Sequence, residues 1–89
     1  MGSARLQLES GFTELTELSE SILVADGAVK ISFARNSIII ARGPVEIAHG
    51  GGLVVIADGS IHLAHENGLQ GAPFAPGVYI TRGAFSRVK

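Results

Sequence analysis

Three histidines have the broadest chemical repertoire in this chain, and their spacing decides what they can do. His49 and His65 lie sixteen residues apart, and Phe33 lies sixteen before His49. If residues so related stack one strand spacing apart, about 4.8 Å, the two imidazoles are neighbours. With a third donor such as Glu66 they would supply ligand types that zinc accepts. Phe33 in the same column supports the plainer reading, in which the position takes a flat, ring-sized side chain. We therefore expect no metal and no cofactor. His62 falls in another column, with Glu14, Lys30 and Glu46, and reads as a solvated ladder position.

Ser60, His62 and Asp58 are the residue types of a nucleophile relay, yet near neighbours on one strand and its turn cannot converge as a triad must. Asp26 and Asp58 flank Arg42 in its column instead of facing one another across a cleft, as the paired carboxylates of glycoside hydrolysis do. Gly50-Gly51-Gly52 has neither the lysine nor the following helix of a phosphate-cradling loop. No catalytic residue is expected, and the chain reads as a non-enzyme. Phe74, Tyr79 and Phe85 cluster late and offer aromatic surface to a carbohydrate or small ligand. Anchoring a loop and closing the end of the core is the competing use of the same rings.

The elements that must position these residues follow from a repeat. Residues 21–36 read SILVADGAVKISFARN, residues 37–52 read SIIIARGPVEIAHGGG and residues 53–68 read LVVIADGSIHLAHENG, three ungapped blocks of sixteen. Counting places within a block, glycine holds the seventh (Gly27, Gly43, Gly59) and alanine the fifth (Ala25, Ala41, Ala57). β-Branched residues hold the second and fourth, and aliphatic ones the ninth and eleventh. A more polar block over 5–20 precedes them, with Gly11 at its seventh place and Leu6, Leu8 and Leu15 in matching apolar places. After an insert over 69–76 that carries Pro73 and Pro76, Val78-Tyr79-Ile80-Thr81-Arg82-Gly83 restores the pattern eight residues late. One domain over 1–89 is expected: a cap-like coil (5–20), three regular coils (21–68), a loop (69–76) and a terminal coil (77–89).

Each block holds two short strands, because Val and Ile alternate at period two and Asp-Gly or Arg-Gly pairs part them. The all-β class has two topologies open to it. An antiparallel meander or small barrel is favoured locally by the Asp-Gly turns. A parallel β-solenoid of about five 16-residue coils is favoured by lateral chemistry, since like charges stacked at strand spacing repel. The sixth-place column runs Ser10, Asp26, Arg42, Asp58 and, across the insert, Arg82, while the tenth runs Glu14, Lys30, Glu46, His62. Charge alternates in both, which a solenoid uses and a meander does not.

Polar residues in the end blocks suggest which places face water. Gln7 and Glu9 in the first block, and Tyr79 and Thr81 in the last, occupy the third and fifth places, so those read as outward and the second and fourth as inward. In the second strand Val29 and Ile31 read as inward, with Lys30, Glu46 and His62 outward. The outward face of the first sheet would then carry Leu23, Ile39, Val55 and Tyr79 beside Ala25, Ala41 and Ala57. Such a contiguous apolar stripe marks a partner surface, for a second copy or another protein, unless the insert or a terminal segment folds over it. Open coil ends offer a second route to association. Glu14, Glu17 and Glu20 make the first block cap-like, which favours finite oligomers over filaments.

Ile56-Ala57-Asp58-Gly59-Ser60-Ile61-His62 resembles a stretch of the C-terminal domain family of the bacterial division-site inhibitor MinC, a short right-handed β-helix. Similar coils occur in bactofilins, which polymerise, and in filamentous adhesins. The resemblance implies parallel coils and points towards assembly. It covers under a tenth of the chain, and Gly68-Leu69-Gln70-Gly71-Ala72 lacks both arginines of the Arg-Gly-Arg-Ala segment with which that family binds its partner.

Composition narrows the partners. The 89 residues are 46% hydrophobic and 17% charged, so a single core is the limit. Seven basic residues against eight acidic ones give no footprint for nucleic acid. Without cysteine there is neither a disulfide framework nor a thiolate site. No apolar run approaches the roughly 18 residues of a transmembrane helix. The opening Met1-Gly2-Ser3-Ala4-Arg5 lacks the basic and apolar regions of a secretory signal, so a cytoplasmic location is expected over export, although a leader already removed would leave no trace.

Overall fold

Alternating aliphatics broken by a glycine every sixteen residues give strands too short to stand alone, and each must stack on the next coil. In the computed structural model, which describes residues 5–66 and 77–87, they do so as ten strands. These are β1 (Arg5–Glu9), β2 (Thr13–Ser19), β3 (Ser21–Ala25), β4 (Val29–Arg35), β5 (Ile38–Ala41), β6 (Val45–Gly51), β7 (Val54–Ala57), β8 (Ile61–Glu66), β9 (Val78–Thr81) and β10 (Phe85–Arg87). One sheet runs β1-β3-β5-β7-β9 and the other β10-β8-β6-β4-β2. Every pairing is parallel.

The chain is thus an all-β parallel solenoid. Ile22 pairs with Ile38 and Ile38 with Val54, at offset sixteen. Val54 then pairs with Val78 and Ile61 with Phe85, an offset lengthened by the insert. The expected loop over 69–76 lies outside the described residues. No Asp-Gly pair closes a hairpin, because each joins strands of different sheets.

The core lies between the sheets. In β4, β6 and β8 the ninth and eleventh places are buried (Val29 and Ile31, Val45 and Ile47, Ile61 and Leu63), while Lys30 and Glu46 face water, as the alternation predicts. Two successive exposed residues, Ser32 and Phe33, then carry β4 round a corner before Ala34 is buried. In the first sheet the assignment of faces is the reverse of the sequence expectation. Leu23, Ile39 and Val55 are fully buried, with Ala25, Ala41 and Ala57 nearly so, and Tyr79 packs against the same core.

The reason is end-capping. The inward places of the outermost coils abut the open ends of the core, where a terminal repeat must be polar or bulky. Gln7, Glu9 and Thr13 fill those places at one end, and Tyr79 and Thr81 at the other. Polarity there marks where the core stops, not its solvent side. Glu14, Glu17 and Glu20 hold other places of the first coil and are exposed, as Glu9 also is.

Two columns fill one corner with complementary volumes. The fourteenth place runs Leu18, Ala34, Gly50 and the first place Ser21, Ser37, Leu53, so that a leucine meets a small residue at the outer two levels and two small residues meet at the middle one. A Cβ on Gly50 would lie 2.8 Å from Leu53 Cδ1. The Ser21 and Ser37 hydroxyls donate to the carbonyls of Ser19 and Arg35, each at 2.8 Å, which satisfies these buried groups.

The corner leading back to the first sheet uses left-handed backbone. Glu20, Asn36 and Gly52, all at the sixteenth place, have φ of 50°, 49° and 63°. Asn and Gly tolerate this region, whereas Glu does so at a cost of about 1 kcal/mol. Glu20→Gly is therefore expected to raise the melting temperature by a few degrees, the shift that about 1 kcal/mol gives in a domain of this size. A melt unchanged or lowered would show that the corner is not strained.

Candidate functional site

Since the third and fifth places turn inward, the second and fourth turn out, and all ten such positions are aliphatic. One column is Leu6, Ile22, Ile38, Val54, Val78, and the other is Leu8, Val24, Ile40, Ile56, Ile80. Even in the middle of the sheet Ile38, Ile40 and Ile56 are 37–38% exposed, and the end positions Leu6, Leu8, Val78 and Ile80 are 54–72% exposed. The strip crosses all five strands of the sheet without a polar break. The residues from which the sequence reading built its outward stripe, Leu23, Ile39, Val55 and Tyr79 beside Ala25, Ala41 and Ala57, belong to the core, and the exposed strip is the alternate set.

One edge of the strip is charged. The sixth-place residues stack in the order Asp26, Arg42, Asp58, Arg82, because Ala25, Ala41, Ala57 and Thr81 before them pair in succession. Arg42 Nε lies 3.4 Å from Asp26, and Arg82 Nε lies 3.3 Å from Asp58. All four side chains are more than half exposed, so these pairs add little to stability. A shallow groove of about 360 Å³ runs between Ile56 and Ile80 on one side and Arg42, Asp58 and Arg82 on the other, joining strip and ladder into one surface.

The predicted imidazole stack is present on the opposite sheet. Phe33 stacks on His49 at 5.0 Å and His49 on His65 at 4.9 Å, with interplanar angles of 10° and 15°. Rings lying face to face direct their nitrogens side by side, whereas a shared metal needs them to converge. Among the described residues no three His, Asp or Glu side chains are grouped to hold a metal ion, and the Glu66 side chain lies outside the description. Beside the stack is a cleft of about 300 Å³, walled by Phe33, His49, Arg35 and Glu17 and floored by Gly50 and Gly51. The drop from Arg35 to Gly51 at the fifteenth place opens it, a cue legible in the repeat that the sequence reading passes over.

The remaining sequence candidates disperse. His62 Nδ1 meets Ser86 Oγ at 2.6 Å, across β8 and β10, while Asp58 pairs with Arg82, so His62, Asp58 and Ser60 do not form a relay. Tyr79 and Phe85 stack at 5.0 Å, and Tyr79 closes the core end. Phe74 lies outside the described residues. Among the described residues no helix is long and apolar enough to cross a membrane. No family model, curated protein or solved structure matches the chain.

Proposed function

We propose that the chain is a non-catalytic assembly module that pairs with a second copy through the outer face of its first sheet. The observation that carries this reading is the unbroken aliphatic strip over β1, β3, β5, β7 and β9, with Ile38, Ile40 and Ile56 more than a third exposed at its centre. A flat apolar sheet face left to water is an aggregation liability unless it is covered, and face-to-face packing of two such sheets is the usual solution. A second copy is the occupant favoured here because the surface brings its own balanced charges along one rim. The polar and aromatic plugs at the two ends of the core favour this lateral pairing over end-to-end growth.

With strands about 4.8 Å apart and alternate residues roughly 6.8 Å apart, strip and rim cover on the order of 500 Å² per copy. That lies below the size of a permanent interface, so a dimer that dissociates on dilution through the micromolar range is expected. Sedimentation velocity across that range tests it. The unaltered chain should shift from monomer to dimer, while Ile40→Lys should stay monomeric with unchanged far-UV circular dichroism. A chain monomeric throughout, or an Ile40→Lys variant that still pairs, overturns the reading. The ligand-binding alternative draws on Phe74, Tyr79 and Phe85. Of that trio Phe74 lies outside the described residues, and Tyr79 packs against the core end and stacks on Phe85, which is the exposed ring of the described pair.

A further inference from the structure

We infer that the second copy docks in a single register, with the two-fold axis parallel to the strands and passing between β5 and β7. Asp26 then meets the partner's Arg82, and Arg42 meets the partner's Asp58. This rests on the docking reading above and specifies its geometry.

Two equal sheets packed face to face by a two-fold have two limiting arrangements. With the axis along the stacking direction, each copy's sixth-place rim lies over the other's sixteenth-place rim. That rim carries Glu20, Asn36 and Gly52 and offers no cation to Asp26 or Asp58. With the axis along the strands, the ladder meets its own reverse. Asp26, Arg42, Asp58, Arg82 is an alternating series of four, so reversal about its midpoint sets every charge against its opposite and gives four ion pairs between copies.

Sliding by half a step shows how sharply this is specified. An axis through β5 sets Arg42 against the partner's Arg42 and Asp26 against the partner's Asp58. An axis through β7 sets Asp58 against the partner's Asp58 and Arg42 against the partner's Arg82. Each such register sets like against like wherever two ladder charges meet, the remaining rung facing the partner's Ser10 or nothing, so the ladder selects one alignment and rejects these neighbours. The aliphatic strip alone could not do this, because its five levels are chemically alike. In the selected register β3, β5, β7 and β9 face their reversed equivalents, and Leu6 and Leu8 lie at the margin.

A charge-swap cycle tests the register. Asp26→Arg and Arg82→Asp each place like charges across both symmetry-related contacts, and each is expected to weaken dimerisation about tenfold. The double variant Asp26→Arg/Arg82→Asp restores opposite charges between copies and should return to within about threefold of the unaltered chain, as near-complete coupling requires. Within one chain the double variant is the worst of the three, since it sets a new arginine beside Arg42 and a new aspartate beside Asp58. A double variant weaker than either single variant, or single variants that pair normally, overturns the register while leaving face-to-face docking intact. A monomeric unaltered chain removes both. Circular dichroism of each variant checks that these exposed substitutions leave the coil folded.

Discussion

Ile39→Lys is expected to abolish folding, whereas Ile40→Lys, one residue further along β5, leaves the fold intact. Ile39 is fully buried between the sheets, in a cluster of Leu, Ile, Val and Ala, and no charged side chain is buried among the described residues. An ammonium forced there loses its hydration without compensation, at a cost of several kcal/mol even after it neutralises or the site relaxes. A domain of this length has on the order of 5–13 kcal/mol in total, and it also loses the packing of the isoleucine, worth about 2–5 kcal/mol on truncation. Far-UV circular dichroism should show loss of the β signal or an insoluble product. Ile39→Val, costing about 1 kcal/mol, is the control that separates polarity from volume. A well-folded Ile39→Lys protein would exchange the two faces of the first sheet.

Gly43→Ala carries the second large effect, and the cause is backbone proximity. A Cβ on Gly43 would stand 2.7 Å from Ala28 N and 2.8 Å from Gly27 C, in the turn of the preceding coil. The turn cannot retreat, because Gly43 N–H donates to Gly27 O at 3.2 Å and Arg42 N–H to Ala25 O at 3.2 Å. Overpacking of this kind costs up to about 3 kcal/mol, which lowers the melting temperature by roughly 10–20 °C in a domain of this size. Gly11 is the comparison. It holds the same place in the first coil with no atom within 4 Å of its would-be Cβ, but at φ 75°, so Gly11→Ala should cost about 1 kcal/mol from backbone strain alone. Equal losses at the two sites would refute close packing of the turns.

Much of this is legible in the repeat itself. A period of sixteen sets the register of both sheets, because the stacking of Asp26 on Arg42 and of His49 on His65 is only a repeat offset turned into distance. The second sheet was unambiguous, since Lys30 and Glu46 alternate with aliphatics. The first was not. Leu23 and Ile22 are equally apolar, so periodicity marks the alternation and leaves its sign open. Gln7, Glu9 and Thr81 decide it only once they are understood as end plugs. The left-handed corner at Glu20 was hidden because one glutamate breaks a column that Asn36 and Gly52 would otherwise announce.

The alternating rim gives the array a parity. Four rungs read backwards are the complement of four rungs read forwards, whereas three or five rungs read backwards are identical to themselves. A lineage that added a single sixteen-residue block and kept the charges alternating would retain the hydrophobic interior but make the rim identical to its own reverse, setting like against like about its midpoint. Adding blocks two at a time preserves both the interior and the complementarity.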